Sequence, residues 1–161
     1  MSSSSNASHS IEESRDFAAM NFDGRILYSK TASEVDKRTM QHLQVLETKR
    51  DDSGKAIVGF DIEWRPSFRK GVLPNKVAVI HICVDNDYCD VMHIIHSGIP
   101  QRLKHLIEDS TLIKVGIGIE GDSVKLFHDH GVSIHQRCRG SFRFSQPKTW
   151  RFQTMGSCLA N

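Results

Sequence analysis

The order of apolar and polar positions along the chain predicts a single mixed α/β domain. Short runs that are continuously apolar or alternate every second residue predict strands at residues 26–28, 56–64, 77–84, 88–95 and 112–115. Apolar residues spaced three and four apart predict helices at residues 31–49, 100–107 and 121–131. Thr31 and Glu34 form a capping-box pattern at the start of the first helix, and Gly131 suits the end of the third. A further short strand is expected to begin at residues 132–134.

The connections between these elements decide how the strands pair. The segment 65–75 cannot be helical because it contains Pro66, Gly71 and Pro74. A parallel return normally needs a helix, so the strands on either side of this segment are expected to run antiparallel. The turn at residues 85–87 adds a third strand, and a helical crossover then leads to the last one. The sequence therefore predicts an α/β fold whose mixed sheet contains an antiparallel three-strand meander.

Composition changes at both ends of this domain. Of 161 residues, 39% are apolar and 25% are charged, which is typical of a globular protein with one core. Residues 1–24 are rich in Ser, carry no signal-peptide pattern and predict a disordered leader before a domain at residues 25–134. Residues 135–161 contain five basic residues, no acid and no apolar periodicity, so they predict a poorly ordered basic tail. No run suggests a membrane span, and we expect an intracellular protein.

Two carboxylates interrupt the apolar strand at residues 56–64. Side chains alternate along a strand, so Asp61 and Glu63 point the same way, roughly 7 Å apart. Two such charges repel by roughly 2 kcal/mol at an effective dielectric near 20, and each also loses hydration. A divalent cation such as Mg²⁺ removes both penalties, which makes the pair a candidate metal site. The alternative is that the strand end is solvated and the pair is surface charge.

The glycine-rich segment 116–122 follows a strand and opens a helix, so it formally matches a dinucleotide-binding turn. That type of site needs an acid about 20 positions later, and no acid follows Asp129. Asp122 is better explained as a third carboxylate at the site of the first two, with Gly118 and Gly121 allowing close backbone approach. Its alternative is an acid that only stabilises the helix N-terminus.

Three runs of the sequence together resemble a known enzyme family. They are VGFDIEW at residues 58–64, KVAVI at 76–80, and GIGIEGD at 116–122 with Lys125 and Leu126. They resemble the first two motifs of the DEDD 3′-5′ exonucleases, in the Werner syndrome branch. The resemblance implies a ribonuclease H-like fold, two Mg²⁺ or Mn²⁺ ions and removal of nucleotides from DNA 3′ ends. It also implies Asp61 and Glu63 as first-motif ligands, Asp122 as the second-motif ligand, a nuclear location and protein partners in DNA repair.

The chain departs from this family in its third motif, which places a Tyr four residues before a final metal-binding Asp. Here Tyr28 is followed at that spacing by Ala32, and Tyr88 by Met92. No His lies five residues ahead of an Asp, so the histidine version of the motif is also absent. The domain is therefore expected to be C-terminally truncated and its catalysis impaired. The alternative is a non-catalytic form that binds nucleic acid or a partner and regulates the full enzyme. His81 is a smaller departure, since the branch usually carries glutamine there.

An aromatic and basic loop beside the carboxylates is a candidate nucleic-acid contact. Its residues are Trp64, Arg65, Phe68, Arg69, Lys70 and Lys76. Cations neutralise phosphates and an aromatic ring stacks on a base, so the loop suits a DNA 3′ end. The alternative is a solvated loop with one core aromatic.

A zinc site is a second candidate for the strand region. Its ligands would be Cys83, Cys89, His93 and His96, but they fall on strands with diverging faces and lack a knuckle-like turn. The four cysteines of the chain have no Cys-x-x-Cys spacing, which is typical of free thiols in a reducing compartment. We therefore expect buried thiols and partly exposed histidines here.

Overall fold

The computed structural model describes residues 24–135 in full and, beyond them, the backbone of two strands. The strands are β1 (Arg25–Ser29), β2 (Ala56–Glu63), β3 (Val79–Cys83), β4 (Tyr88–Met92), β5 (Leu112–Gly116), β6 (Arg137–Phe142) and β7 (Phe152–Thr154). The helices are α1 (Ala32–Thr48), α2 (Ile94–Ser97), α3 (Gln101–Glu108) and α4 (Ile119–His130). The predicted leader lies outside the described residues except for its last position.

The strands form one mixed sheet in the order β1-β4-β3-β2-β5-β6-β7. The predicted meander is confirmed, because β2 pairs antiparallel with β3 and β3 pairs antiparallel with β4. Parallel pairs join β1 to β4, β2 to β5 and β5 to β6. The site strand β2 therefore lies between β3 and β5, in the middle of the sheet.

The hydrophobic core covers one face of this sheet. In β2, every second side chain is buried on this face, and helices α1, α3 and α4 pack over it. The central residues are Val58, Phe60 and Ile62 of β2, Leu46 of α1, Leu103 of α3 and Leu126 of α4. Burial of an apolar side chain of this size stabilises the fold by about 1.5–3 kcal/mol. The alternate β2 residues, including Asp61 and Glu63, project from the opposite face.

The predicted helix ends agree with the structure at two positions. The backbone N–H of Glu34 donates to Thr31 Oγ1, and the N–H of Thr31 donates to Glu34 Oε2, which completes the capping box of α1. Gly131 closes α4 with a φ of 65°, in the left-handed region that favours glycine. Within the described part of the chain, no helix is long and apolar enough to cross a membrane.

Two predicted strand segments were wrong. The strand expected over residues 88–95 ends at Met92, and the next residues form the short helix α2. An apolar run this short fits both the period of a strand and the period of a helix. In the structure Ile94 is buried in the core, whereas Ile95 is 65% exposed. Residues 132–134 form no strand, although Val132 and Ile134 are both buried in the core.

The basic C-terminal segment contains strands where the apolar pattern predicted no regular structure. Strand β6 pairs in parallel with β5, with Lys114 opposite Arg137 and Val115 opposite Cys138, and β7 pairs with β6. A ladder is held by backbone N–H and C=O groups, so a strand can form without apolar alternation. The prediction that residues 135–161 are poorly ordered as a whole stays a prediction.

Candidate metal centre

The first two carboxylates lie at the end of β2 on the face of the sheet opposite the helices. Phe60 and Ile62 are buried in the core, and Asp61 and Glu63 alternate with them, as the period of two predicts. Asp61 is half-buried and Glu63 is exposed. A rigid central strand therefore holds both carboxylates at an accessible surface.

A histidine of the neighbouring strand completes a close group of donor atoms. His81 of β3 stands directly opposite Asp61 in the antiparallel register, and its Nδ1 lies 3.1 Å from Asp61 Oδ2. This hydrogen bond raises the pKa of His81, although burial opposes the shift. Donor atoms of Asp61, Glu63 and His81 all lie within 4.8 Å of one another. The sequence comparison singled out His81 only as a departure, and the strand register is what reveals its contact.

Asp122 comes from the first turn of α4 and is largely buried, with 8% of its surface exposed. Its Oδ2 is buried and has no hydrogen-bond partner among the described residues. Burial raises the pKa of Asp122 to about 6, and the charges of Asp61 and Glu63 add to the shift. Asp122 is thus within electrostatic reach of the pair but outside the close group that contains His81. That it shares an ion with the pair stays a prediction.

The turn that positions Asp122 depends on close contact between β5 and β2. A Cβ atom added at Gly116 would lie 2.2 Å from the carbonyl oxygen of Phe60, so no larger residue fits without movement. Gly118 begins α4 with a φ of 75°, and its carbonyl accepts the N–H of Asp122. The close approach expected at Gly118 and Gly121 was therefore misplaced, because neither has an atom within 4 Å of an added Cβ.

The donor set fits a divalent cation. Carboxylate oxygens are ligands of hard cations, and an imidazole nitrogen is accepted by the first-row transition metals. The three carboxylates carry more negative charge than the one histidine can balance. A buried Oδ2 without a partner, as in Asp122, costs free energy that a cation or a donor would recover.

The predicted nucleic-acid loop follows β2 directly. Trp64 is partly buried against the core, and the Nζ of Lys125 lies 5.4 Å from its ring centroid. The other predicted contacts are exposed: Arg65, Phe68, Arg69, Lys70 and Lys76. Phe68 is 94% exposed, which is unusual for a large aromatic side chain without a partner. The loop thus presents one stacking surface and four cations beside the carboxylates.

Two residues of α4 that the sequence analysis did not assign anchor the end of this loop. Lys125 donates to the carbonyl of Asn75 at 2.9 Å, and Asp129 accepts the N–H of Val77 at 2.9 Å. Lys125 and Asp129 also pair with each other. Burial raises the pKa of Asp129, but hydrogen bonds from Lys125, His128 and the Val77 N–H lower it by more, so that it lies well below its usual range. In the sequence, the signal for this pair was the spacing of four residues between Lys125 and Asp129 on a predicted helix.

The alternative zinc ligands do not form a close group among the described residues. Cys83 lies on β3 and Cys89 on β4. His93 precedes α2 and His96 lies within it, and the two imidazole rings stack on each other. The donor group found in the described part of the chain is the one at Asp61. The structure thus gives no support to the zinc hypothesis.

Comparison with known proteins gives consistent similarities, although no family model matches the chain. A 3′-5′ exonuclease of Arabidopsis thaliana is 78% identical over 120 residues, which cover 74% of this chain and 42% of that protein. The bifunctional 3′-5′ exonuclease/ATP-dependent helicase WRN of Mus musculus is 38% identical over 116 residues, covering 71% of this chain and 8% of that protein. The chain thus spans less than half the length of these relatives.

A solved structure supports the same fold. The crystal structure of the EXD2 exonuclease domain superposes with a TM-score of 0.61 at 20% identity, covering 72% of this chain and 56% of that one. At this identity the likeness establishes the ribonuclease H-like fold alone. The sequence relatives establish the family, and the chain belongs to the DEDD 3′-5′ exonucleases, in the branch that resembles the Werner exonuclease.

Proposed function

We propose that this chain carries a metal-dependent site for hydrolysis of nucleic acid from a 3′ end. The observation that carries this proposal is the proximity of three carboxyl groups, whose combined negative charge calls for a cation. Asp61 and Glu63 lie two residues apart on β2, and their charges reach the carboxyl of Asp122, whose buried Oδ2 has no hydrogen-bond partner among the described residues. Two Mg²⁺ or Mn²⁺ ions at these carboxylates agree with the family and with the donor chemistry.

The residues of this chain have separable tasks at the site. When bound, the ions would supply a hydroxide nucleophile and neutralise the leaving oxygen. Asp61 and Glu63 would hold the metal from a rigid strand, and Asp122 would supply an oxygen from α4. His81 donates to Asp61 Oδ2 and so restricts the orientation of that carboxylate.

The substrate is proposed to be DNA, bound through the loop after β2. Arg65, Arg69 and Lys70 attract phosphates, and Phe68 offers an exposed ring for stacking on a terminal base. Lys125 and Asp129 fix the far end of the loop against α4. Crystals of the EXD2 exonuclease domain were soaked in Mn with the ribonucleotide GMP and in Mg with the deoxyribonucleotide dGMP. Nuclear location and DNA-repair partners remain expectations from the family.

Turnover by this chain is proposed to be slow, because the sequence has no Tyr followed four residues later by an Asp. In the family that motif supplies a fourth carboxylate and a group that aligns the attacking water. Positioning contributes several kcal/mol in such reactions, so its loss lowers the rate by orders of magnitude. The same observation favours the second candidate function, a non-catalytic form that binds nucleic acid or a partner and regulates the full-length enzyme.

A nuclease assay with parallel binding measurements separates these functions. The substrate is a 5′-labelled, 3′-recessed DNA duplex, tested with Mg²⁺, with Mn²⁺ and with a chelator. We expect slow, metal-dependent shortening from the 3′ end that Asp61→Asn removes, together with DNA binding that this variant weakens less. Metal-independent cleavage contradicts the proposed site. DNA binding with no cleavage at any metal concentration supports the regulatory form.

A further inference from the structure

Two thiols face each other across neighbouring strands of the sheet. The β3–β4 ladder pairs His81 with Val91 and Ile82 with Asp90, and one further step in this register places Cys83 opposite Cys89. Directly opposite residues of an antiparallel pair project from the same face. Both thiols are free and partly buried. The pairing is a consequence of the meander and uses none of the carboxylates proposed to hold metal.

The geometry of this register suits a disulfide. Opposite Cα atoms in an antiparallel pair are about 4.5 Å apart at a non-hydrogen-bonded position and about 5.5 Å apart at a hydrogen-bonded one. Both separations fall in the range of roughly 4.4–6.8 Å that disulfides span. The Cα separation therefore permits a bond between Cys83 and Cys89, for which the Cβ atoms must approach from roughly 4.5–5.5 Å to about 3.8 Å.

Both thiols are partly exposed, and one of them lines a surface pocket. Cys83 lines a surface pocket of about 390 Å³ beside the β3–β4 turn, together with Lys49, Ile57 and the turn residue Asp85. The thiols lie on the sheet face that the packed helices leave free, alongside His81. The two thiols also hydrogen-bond to each other, so their sulfur atoms are already in contact.

We propose that Cys83 and Cys89 form a reversible cross-strand disulfide by exchange with a small-molecule disulfide such as oxidised glutathione. One thiolate of the pair attacks one sulfur of glutathione disulfide, the glutathione S–S bond breaks, and one glutathione leaves as a thiolate. The other thiol then loses its proton and attacks the protein sulfur of the mixed disulfide, which releases the second glutathione. The protein pair is oxidised by two electrons, and glutathione disulfide is reduced to two thiols.

Oxidation would join β3 to β4 two residues from His81. The strand that carries the contact to Asp61 would then be fixed to its neighbour by a covalent bond as well as by its ladder. The site is therefore a modification site that responds to the thiol–disulfide balance, independently of whether the chain cleaves nucleic acid.

The test uses the full chain with Cys138→Ser and Cys158→Ser, so that only the proposed pair remains. The protein is equilibrated in glutathione buffers with an increasing fraction of oxidised glutathione, and the free thiols are then alkylated under quench conditions. The mass of the intact protein is measured by mass spectrometry. We expect a direct change from two alkyl labels to none, with a mass lower by two hydrogen atoms and no bound glutathione. Adding Cys83→Ser or Cys89→Ser should stop the reaction at a glutathione mixed disulfide.

A titration in denaturing urea provides the matched control for positioning by the fold. The native protein should reach half-oxidation at an oxidised-to-reduced glutathione ratio at least about tenfold lower than the denatured one. Equal midpoints would show that the fold does not position the thiols. Two independent glutathione adducts in the native protein, or two free thiols at every ratio, would overturn the proposal.

Discussion

The sheet carries a histidine–carboxylate contact on each of its two faces, and the two differ in their surroundings. On the helix-covered face, His42 Nε2 lies 3.0 Å from Asp90 Oδ2, and both side chains are fully buried. On the other face, His81 Nδ1 lies 3.1 Å from Asp61 Oδ2, and these side chains are 30% and 46% exposed. The local chemistry is the same, so the contact alone does not mark a functional site.

The neighbouring charges distinguish the two contacts. Asp90 is paired with His42 and with Arg38, whose Nε lies 3.5 Å from its Oδ1, so its charge is compensated within the protein, although neither contact has the geometry of a hydrogen bond. At the exposed contact, Asp61 has Glu63 beside it and Asp122 within electrostatic reach, and His81 is the basic residue in the close donor group. The first arrangement is closed to ligands, whereas the second has an excess of carboxylates that a cation would satisfy.

The largest expected effect is on the buried contact. Asp90→Ala leaves the fully buried His42 without its acid and removes a partner of the partly exposed Arg38, and we expect the free energy of unfolding to fall by about 3–5 kcal/mol. Urea titration followed by circular dichroism measures this loss. Replacing both buried partners, with His42→Leu and Asp90→Leu, should recover most of it, because Arg38 is partly exposed and keeps its hydrogen bond to Gln41, so no fully buried member of the contact is left unpaired. A loss below about 1 kcal/mol for Asp90→Ala would contradict a structural role.

The matched change at the exposed contact should act on metal binding instead. Asp61→Asn removes one carboxylate charge from the donor group, and we expect Mn²⁺ affinity to fall about 100-fold, or about 2.7 kcal/mol. Stability without metal should change by less than about 1 kcal/mol, because Asp61 is half-exposed. Calorimetric titration with Mn²⁺ measures the affinity. Asp52→Asn, at an exposed turn position, is the control and should leave it unchanged.

The exposed contact was more predictable from the sequence than the buried one. Asp61 and Glu63 interrupt an apolar strand at a spacing of two, which is a local pattern with one physical explanation. His42 looks like an ordinary polar position of an amphipathic helix, and Asp90 like a polar residue of a strand. Their contact depends on how α1 crosses β4, and no spacing along the chain encodes that. Strand register likewise decided that His81 meets Asp61.

The fold was predictable to the extent that each element has its own period. The meander followed from Pro66 and Pro74, which exclude a helical crossover, and it is confirmed. The apolar run at Ile94 and Ile95 was too short to fix its period and became a helix. The ladder of β6 depends on backbone groups that every sequence carries, so side-chain pattern could not predict it.

The third prediction concerns the pH dependence that the acidic group should show. The folded pKa of Asp122 is about 6, above the ordinary value of 3.8, so between these values the folded state binds more protons than the unfolded one. Stability without metal should therefore decrease as pH rises from about 4 to 6. Asp122→Asn should remove this slope and stabilise the metal-free protein at pH 7 by about 2 kcal/mol.

Urea titrations at several pH values measure this change in stability, and Mn²⁺ titrations measure the metal affinity of the same variant. The same variant should bind Mn²⁺ more weakly than the unchanged protein at pH 7, because it lacks a carboxylate. Stability and metal affinity should thus move in opposite directions. If Asp122→Asn lowered both, the buried carboxyl would be a structural group like Asp90, and the contrast between the two faces would fail at this residue.

The smallest expected effect distinguishes a histidine that binds metal from one that only orients Asp61. His81→Gln keeps a side chain that can donate to Asp61 Oδ2 but replaces an imidazole nitrogen with an amide. First-row transition ions such as Co²⁺ accept imidazole more readily than Mg²⁺ does. If His81 is a ligand, the ratio of Co²⁺ to Mg²⁺ affinity should fall about fivefold to tenfold, which is about 1 kcal/mol.

Calorimetric titrations with both ions measure that ratio, and the visible absorption of bound Co²⁺ reports loss of a nitrogen ligand directly. His96→Gln is the matched control, because His96 is exposed on α2 and is outside the donor group of Asp61, Glu63 and His81. A purely orienting role predicts a different result, in which both affinities fall by the same factor and the Co²⁺ spectrum is unchanged. Since His42 is buried on the core-facing side of α1, its substitution by Gln should alter stability but neither affinity, and this keeps the two faces of the sheet distinguishable.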